Sequence, residues 1–440
     1  MSFKASELLY QTVATALENL RANKLRSFLT MFGILWGIVS IVVLSAMGEG
    51  FRRGNDRVLR EFGKNMAIVW GGRTSMQAGG ERAGRVINLT IEDAKAIKAQ
   101  ARMVRTLSPE IQRGGVQVKS RYNAASVTVH GVEPPYQEIR TIELQYGRLL
   151  NWEDEEQARH VAVIGWEMAK QLFGERFPIG EQVTLNSVSY TIVGRIRRKD
   201  QDSSYSGPDN NKLFVPFTVM QRELPRRDAE PTVVSNLIVA PYDWVAAEMP
   251  GTLARRTGRV EDIDWPIEQE IREILARRKG FNPDDIEAIS VWNTAMESLF
   301  FDRIVYYMKE FFTLVGLVTL ALGGIGVMNI MLIAVKDRTR EIGVRKALGA
   351  TTREIQRQFF FEGFLLTLTA GLAGMAVGVS LCVAVNVFAT LPMRFAGMII
   401  TWQTTLLSLG TLVLIGVITS TFPARRAAEL PPVEALRYEM

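Results

Sequence analysis

The residues with the greatest capacity for chemistry are two histidines, one cysteine and one acidic run. His130 and His160 are isolated in strand-like surroundings, and Cys382 has no second cysteine for a disulfide or a thiolate zinc site. The acidic run at 153–156 is contiguous, whereas calcium loops space their ligands around a bending glycine. We therefore expect no metal site. The histidines are interpreted as ordinary sheet residues and the acidic run as solvated surface.

Nucleotide and hydrolase motifs are absent from the sequence. It contains no G-x-x-x-x-G-K-[ST] phosphate loop, no G-x-S-x-G and no H-E-x-x-H. The glycines at 323–326 lie inside an apolar segment, where glycine serves close helix packing. We predict that the chain is not an enzyme by itself and has no catalytic, cofactor-binding or metal-binding residues.

One segment combines dense charge with helix-forming residues. Residues 311–335 are uncharged, and residues 336–350 follow at once with the sequence Lys-Asp-Arg-Thr-Arg-Glu-Ile-Gly-Val-Arg-Lys-Ala-Leu-Gly-Ala. Gly349 can end a helix there, and Thr351 or Thr352 can cap the next one, with Glu354 near its start. An apolar helix that needs lipid is thus followed by a segment that needs water and a protein partner.

Four uncharged windows of the sequence are long enough to span a membrane, and one of them directly precedes this segment. They cover 27–48, 311–335, 363–393 and 395–424, and a span needs about 20 apolar residues. We expect the first to be a retained anchor, because its apolar run exceeds that of a signal peptide. The predicted organisation is a cytoplasmic amphipathic helix in 1–26, spans at 27–48, 311–335, 363–388 and 403–424, an external domain at 49–310, a cytoplasmic loop at 336–362, a short external loop at 389–402 and a cytoplasmic tail at 425–440.

The charge distribution orients these spans. Residues 49–310 carry 37 basic and 37 acidic side chains, whereas 1–27 carries 4 against 2 and 336–362 carries 7 against 4. Positive flanks stay in the cytoplasm, which places both termini and the 336–362 loop inside and the large domain outside. The net charge of +6 is therefore explained by basic residues that orient the membrane spans, and we expect no nucleic-acid partner.

The external domain shows mixed helix and strand patterns. Residues 116–119 and 125–132 alternate like a hairpin, and Thr90 with Asp93 is typical of a capping box before a helix. Residues 197–212 are predicted to form an exposed loop. Partial apolar faces at 49–62 and 295–310 predict stalk helices that continue the first two spans. The predicted fold class is a multi-domain membrane protein with four transmembrane helices and a large mixed α+β domain between the first and second.

Small residues mark two of the spans. Gly33 and Gly37 form a G-x-x-x-G pair, and the third span carries small residues at every fourth position, including Gly374 and Gly378. Such stripes let helix backbones approach closely. The spans contain no charged residue or histidine in their interiors, which argues against a polar solute or proton pathway through them.

Three membrane-flanking motifs resemble a known family. Residues 323–351, the entry to the first span at 19–30 and the terminal segment at 422–437 are similar to the permease of MacB/FtsX-type (type VII) ABC transporters. The order of one span, a large external domain and three spans matches as well. The resemblance implies a bacterial inner-membrane permease that acts as a homodimer or paired permease, with ATP bound by a separate ABC ATPase at the cytoplasmic face.

The resemblance also implies a mechanism, mechanotransmission, in which ATP-driven movement of the spans reaches the periplasmic domain. It assigns ATPase coupling to the cytoplasmic loop, which we map to Arg340, Glu341, Arg345, Lys346, Leu348, Gly349, Ala350 and Thr351. The expected function is efflux or extrusion of a periplasmic or membrane-associated substrate, with a membrane-fusion adaptor and an outer-membrane duct as further partners. Alternatives are an FtsX-like transmitter that controls a cell-wall hydrolase, a lipoprotein-releasing permease, or a receptor without an ATPase.

Overall fold

The computed structural model describes residues 24–63, 65–199, 201, 205–224, 230–245 and 266–431. The chain divides into two compact units. The helical unit comprises 1–54 and 302–440, and the sheet unit comprises 55–301. The amphipathic helix predicted within 1–26 lies almost entirely outside the described residues, as does the end of the tail from 432 onwards.

The described residues form eleven α-helices and ten β-strands. The helices are α1 (Lys24–Phe62), α2 (Ile91–Gln100), α3 (Pro135–Ile139), α4 (Trp152–Glu156), α5 (Trp166–Phe173), α6 (Phe217–Glu223), α7 (Pro266–Lys279), α8 (Thr294–Asp337), α9 (Thr339–Ala347), α10 (Thr352–Phe388) and α11 (Trp402–Glu429). The strands are β1 (Ala67–Gly71), β2 (Val104–Lys119), β3 (Ala124–Val132), β4 (Leu144–Gly147), β5 (Val161–Ile164), β6 (Gln182–Leu185), β7 (Val188–Ile196), β8 (Lys212–Pro216), β9 (Asn236–Pro241) and β10 (Ile289–Asn293).

Four of the helices, α1, α8, α10 and α11, are long and apolar enough to cross a membrane. The predicted spans lie within them, and the mixed α+β sheet unit is inserted between the first and second, so the predicted fold class is confirmed. The predicted stalk segments 49–62 and 295–310 are the end of α1 and the beginning of α8, with no break in either helix.

The segment between α10 and α11 packs along α1 within the helical unit. Ala396 N–H donates to the Gly50 carbonyl at 3.0 Å and Ile399 N–H donates to the Ala46 carbonyl at 3.1 Å. A side chain at Gly50 would lie 1.8 Å from the Gly397 carbonyl oxygen. The close approach therefore requires glycine at position 50.

The sheet unit is built on one mixed sheet with the strand order β10-β1-β9-β2-β3-β8-β5-β7-β4, and β6 pairs with β2 and β7. The pairs β3–β8 and β5–β7 are parallel, and the others are antiparallel. The predicted hairpin is the β2–β3 pair, with Val116 opposite Val127. Asn186 and Ser187, with φ of 44° and 75°, form the tight turn between β6 and β7.

Both faces of the sheet are buried, which explains the continuous apolar runs of its central strands. In β8, Leu213 and Val215 belong to one hydrophobic cluster and Phe214 belongs to the cluster on the other face. Successive side chains of a strand point to opposite faces, so each apolar strand serves both layers. The predicted capping box is confirmed at α2, where Thr90 N–H donates to the Asp93 carboxylate at 2.8 Å.

Two predictions for the sheet unit are wrong. The segment 197–212, predicted to be an exposed loop, buries Lys199, Gln201, Asp209 and Lys212. The acidic run, predicted to be solvated, is the helix α4, in which Asp154 and Glu155 are buried. Asp154 pairs with Arg148 at 2.5 Å, and Glu155 accepts hydrogen bonds from Thr218. In each case the buried carboxylate has hydrogen-bonding partners: Arg148 for Asp154, Thr218 for Glu155 and Arg140 for Asp209.

Candidate functional site

The charged segment after α8 forms a short helix and a turn. Arg340, Glu341, Arg345 and Lys346 lie on α9, Leu348, Gly349 and Ala350 form the turn, and Thr351 is the N-cap of α10. Gly349 has φ of +100°, a left-handed conformation that glycine adopts without steric cost. Thr351 N–H donates to the Glu354 carboxylate at 2.9 Å and its hydroxyl accepts from Glu354 N–H at 3.3 Å, a reciprocal capping box.

Lys346 fastens α9 to the end of α11. Its Nζ donates to the carbonyl oxygens of Ala428 at 2.5 Å and Leu430 at 2.8 Å. These carbonyls lie at the C-terminal end of a helix, where they have no intrahelical donor and the helix dipole favours a cation. The apolar side of α9 completes the attachment, because Ile342 packs in the same buried cluster as Ile355 and Phe359 of α10.

Two arginines connect this segment to α10. Arg345 donates to Glu341 on its own helix at 2.5 Å and to Gln358 on α10 at 2.9 Å. Arg338 pairs with Glu362 at 3.5 Å, and the Glu362 side chain is almost wholly buried. α9 is thus attached to α10 and α11 through ionic and apolar contacts together.

The outward side of α9 presents an apolar residue among charges. Leu348 is 84 % exposed and Val344 is 41 % exposed, beside the exposed side chains of Arg340, Glu341 and Arg345. We call these five residues the docking face. Leu348 and Val344 are the exposed apolar side chains of this face. Sequence reasoning missed Val344, Gln358 and Glu362. A single acidic residue at the border of an apolar window was the available signal for Glu362.

The glycines singled out for helix packing lie at close helix approaches. A Cβ atom at Gly33 would lie 3.1 Å from Gly323 Cα, and one at Gly37 would lie 2.7 Å from Leu320 Cγ, so both face α8. A Cβ at Gly374 would lie 2.6 Å from the Leu35 carbonyl oxygen, and one at Gly378 would lie 3.3 Å from Val42 Cβ. The four glycines thus mark contacts of α1 with α8 and of α10 with α1.

The sheet unit contains a group of buried ionic side chains that sequence reasoning missed. Asp209 accepts from Arg140 at 2.9 Å, from Lys212 at 3.1 Å and from Lys199 at 3.2 Å. We call these four residues the buried charge cluster. Burial opposes ionisation of Asp209, yet the neighbouring Arg140, Lys212 and Lys199 hold its pKa well below the usual range. Burial lowers the pKa of Lys199 to about 8.

The two histidines make carboxylate contacts in the same unit. His130, buried in β3, lies 2.5 Å from Glu110, and burial lowers the pKa of its ring. His160 lies 2.5 Å from Glu223. Among the described residues, no three His, Cys, Asp or Glu side chains come together in a group that could hold a metal ion.

Comparison with known proteins finds two family matches. Residues 27–249 match the MacB-like periplasmic core domain, and residues 313–432 match the FtsX-like permease C-terminal domain. The macrolide export ATP-binding/permease protein MacB of Bdellovibrio bacteriovorus is 30 % identical over 96 % of this chain. The ABC transporter permease YknZ of Bacillus subtilis is 29 % identical over 98 % of this chain.

The coverage of these relatives differs. The chain spans 61 % of the length of the Bdellovibrio protein but 100 % of the length of YknZ. Among solved structures, the periplasmic region of MacB from Actinobacillus actinomycetemcomitans covers 55 % of this chain and 94 % of its own length, with 17 % identity and a TM-score of 0.40. The extracellular domain of YknZ covers 52 % of this chain and 100 % of its own length, with 16 % identity and a TM-score of 0.39.

Proposed function

Because the chain belongs to the MacB/FtsX-type family of ABC transporter permeases, we propose that it couples ATP hydrolysis by an ATPase outside these 440 residues to movement of the sheet unit. The 440 residues contain no phosphate-loop motif, so the nucleotide must be bound elsewhere. In this proposal the docking face receives the ATPase. The residues assigned to coupling are Arg340, Glu341, Arg345, Lys346, Leu348, Gly349, Ala350 and Thr351.

The observation that carries this proposal is the contrast between the two sides of α9. Its inward side is fixed to α11 by Lys346 and to α10 by Ile342. Its outward side exposes Leu348 to 84 %. A segment that is rigidly attached on one side and presents an apolar residue on the other can receive a partner's movement and pass it to two long helices.

The charge pattern supports the orientation of the proposal. The basic excess at 336–362 supports a cytoplasmic position for α9, where ATP is available, and an external position for the balanced domain at 49–310. We propose the bacterial inner membrane as the location, with both termini cytoplasmic. Spans without interior charge suit a substrate that acts outside the membrane rather than one that crosses through them.

We also propose that the permease acts as a dimer in which α8 packs against α8 of a second copy. Among the exposed apolar side chains of α8, six follow a seven-residue pattern, namely Ile304, Tyr307, Phe311, Leu314, Val318 and Ile325. This 3.5-residue period is that of a coiled-coil seam. Ile304 and Tyr307 precede the predicted span, so lipid does not account for their exposure. A Tyr307→Cys variant should form an oxidative cross-link between two copies.

Export is the favoured activity, because relatives named for macrolide export match over nearly the whole chain. We propose efflux or extrusion of a periplasmic or membrane-associated substrate as the activity here. A dimeric transmitter controlling a cell-wall hydrolase remains the second candidate. Deletion of the gene should increase susceptibility to macrolides if efflux is correct, and should alter cell separation instead if the transmitter is correct.

The docking face is tested by placing a charge at Leu348, the more exposed of its two apolar residues. We expect Leu348→Asp to abolish co-purification of the ATPase with the detergent-solubilised permease, while membrane insertion and yield are retained. Ile286→Asp is the matched control, since Ile286 is 74 % exposed but lies in the sheet unit. Undiminished ATPase binding and transport in Leu348→Asp would contradict the assignment.

A further inference from the structure

The last turn of α1 is held by side chains from a distant part of the chain. The final carbonyl groups of a helix have no N–H partner within the helix. Here the Glu61 carbonyl accepts from Lys199 Nζ at 3.0 Å and from Gln201 Nε2 at 3.5 Å. Lys199 also donates to the Arg140 carbonyl at 2.7 Å, so one ammonium group joins the end of α1 to the segment after α3.

The next residue, Phe62, is enclosed by the same cluster. The Arg140 guanidinium carbon lies 3.8 Å from the centre of the Phe62 ring, a cation–π contact. The rings of Trp292 and Tyr205 meet it edge-on at centroid distances of 5.1 and 6.4 Å. Phe62 is 3 % exposed. Two buried cations therefore contact the end of α1: Lys199 binds the Glu61 carbonyl and Arg140 lies over the Phe62 ring.

The charges of this region do not balance through side chains alone. Arg140, Lys199 and Lys212 face the two carboxylates Asp209 and Glu110, and all five side chains are buried. Lys212, Arg140 and Lys199 all pair with the single carboxylate of Asp209. The negative end of the α1 dipole supplies a second partner for Lys199, the Glu61 carbonyl. Lys199 differs from a simple ion-pair partner because its ammonium group also donates to two backbone carbonyls, one of which belongs to the last turn of α1.

We infer that Lys199 and Arg140 are positioning residues that attach the last turn of α1 to the sheet. Because the last turn is held, it does not fray, and movement of this helix also moves the sheet. α1 is one uninterrupted helix from Lys24 to Phe62. The residues that hold its last turn therefore decide whether displacement along the helix is passed on. The attachment of α1 to the sheet is inferred from the contacts of Lys199 and Arg140 alone, whereas its role in transport rests on the proposed function.

The attachment is tested by hydrogen exchange on the full-length chain in detergent. In Lys199→Met, the amides of residues 59–63 should exchange at least about tenfold faster, as expected from losing a hydrogen bond to a charged donor. The amides of β5 and β8 should be unchanged, because Asp209 keeps Arg140 and Lys212. Lys199→Gln retains a neutral donor and should give a smaller increase. Lys170→Met, at an exposed lysine of α5, is the matched control.

Three results would overturn the inference. Unchanged exchange at 59–63 in Lys199→Met would show that the lysine does not hold the helix end. Faster exchange throughout the sheet, or failure of both Lys199 variants to fold, would show that Lys199 supports the sheet as a whole. Equal acceleration at 59–63 in Lys170→Met would show that loss of any lysine has this effect.

A second measurement separates this inference from the proposed function. In vesicles containing the permease and its ATPase, Lys199→Met should hydrolyse ATP at the normal rate but transport at least about tenfold less substrate. If exchange at 59–63 rises while wild-type vesicles show no ATP-driven transport, the proposed function fails and the attachment stands. If wild-type vesicles transport and Lys199→Met transports equally well, the role of the attachment in transport is refuted.

Discussion

Replacing Gly374 by alanine should weaken the packing of α10 against α1. The added Cβ would lie 2.6 Å from the Leu35 carbonyl oxygen and 3.0 Å from Leu35 Cα. Ordinary contact begins near 3.4 Å, so the helices must separate locally by about 0.8 Å. A gap of that size removes a quarter to a half of the dispersion energy of each separated contact. We expect a loss of about 1–3 kcal/mol in the free energy of unfolding, the range found for overpacked sites.

Two other glycines in membrane helices provide graded controls. At Gly378 the added atom would meet the Val42 side chain at 3.3 Å, which can yield slightly, so Gly378→Ala should cost less than about 1 kcal/mol. At Gly410 nothing lies within 4 Å. Gly410→Ala should leave stability unchanged or raise it by about 0.5–1 kcal/mol, because alanine has the higher helix propensity.

The assay is unfolding of the full-length chain in mixed micelles with increasing dodecyl sulfate, followed by far-ultraviolet circular dichroism. The expected order of stability is Gly410→Ala, then Gly378→Ala, then Gly374→Ala. Equal midpoints for the three variants would refute the reasoning, since they would show that small residues here reflect composition rather than helix contact.

Three further predictions concern other parts of the molecule. Lys199 has a folded pKa of about 8, below its ordinary 10.5, so the unfolded state binds more protons between these values and this group's contribution makes stability rise with pH. The gain from pH 8 to 10.5, up to about 3 kcal/mol, should be missing in Lys199→Met when thermal unfolding is compared at the two pH values. Thr351→Ala should cost about 1 kcal/mol at the start of α10 and speed amide exchange there, whereas Thr351→Ser should not. Ser187→Gly should raise the melting temperature, because φ of 75° costs serine about 1 kcal/mol that glycine avoids.

The local features of the fold were predictable wherever neighbouring residues decide the conformation. The Thr90–Asp93 capping box, the β2–β3 hairpin and the four apolar helices follow from spacing over a few residues. β2 begins at Val104, well before the predicted hairpin strand at 116. Its first half contains Ser108, Pro109 and Glu110, which interrupt the alternation of apolar and polar residues expected of a strand. These polar groups are buried in the structure because the segment pairs with β9 and Glu110 contacts His130.

The docking face lies in the segment that the sequence singled out, but the two sides of that segment could not be told apart in the sequence. Arg345 and Lys346 are adjacent basic residues. The fold directs Lys346 to the carbonyls at the end of α11, more than 80 positions along the chain, and leaves Arg345 exposed beside Leu348. Only the packing of α9 against α10 and α11 separates a residue that anchors the helix from one that can meet a partner.

The sequence by itself determined the membrane spans, their expected orientation, the inserted α+β domain and the family, because apolar length, charge imbalance and short motifs are local properties of a chain. The tertiary structure decided which charges are buried. Arg140 and Asp209 stand 69 residues apart, and the segment 197–212 looked like an exposed polar loop. A buried charge needs partners that compensate it, and only folding brings Arg140 and Asp209 together beside the last turn of α1.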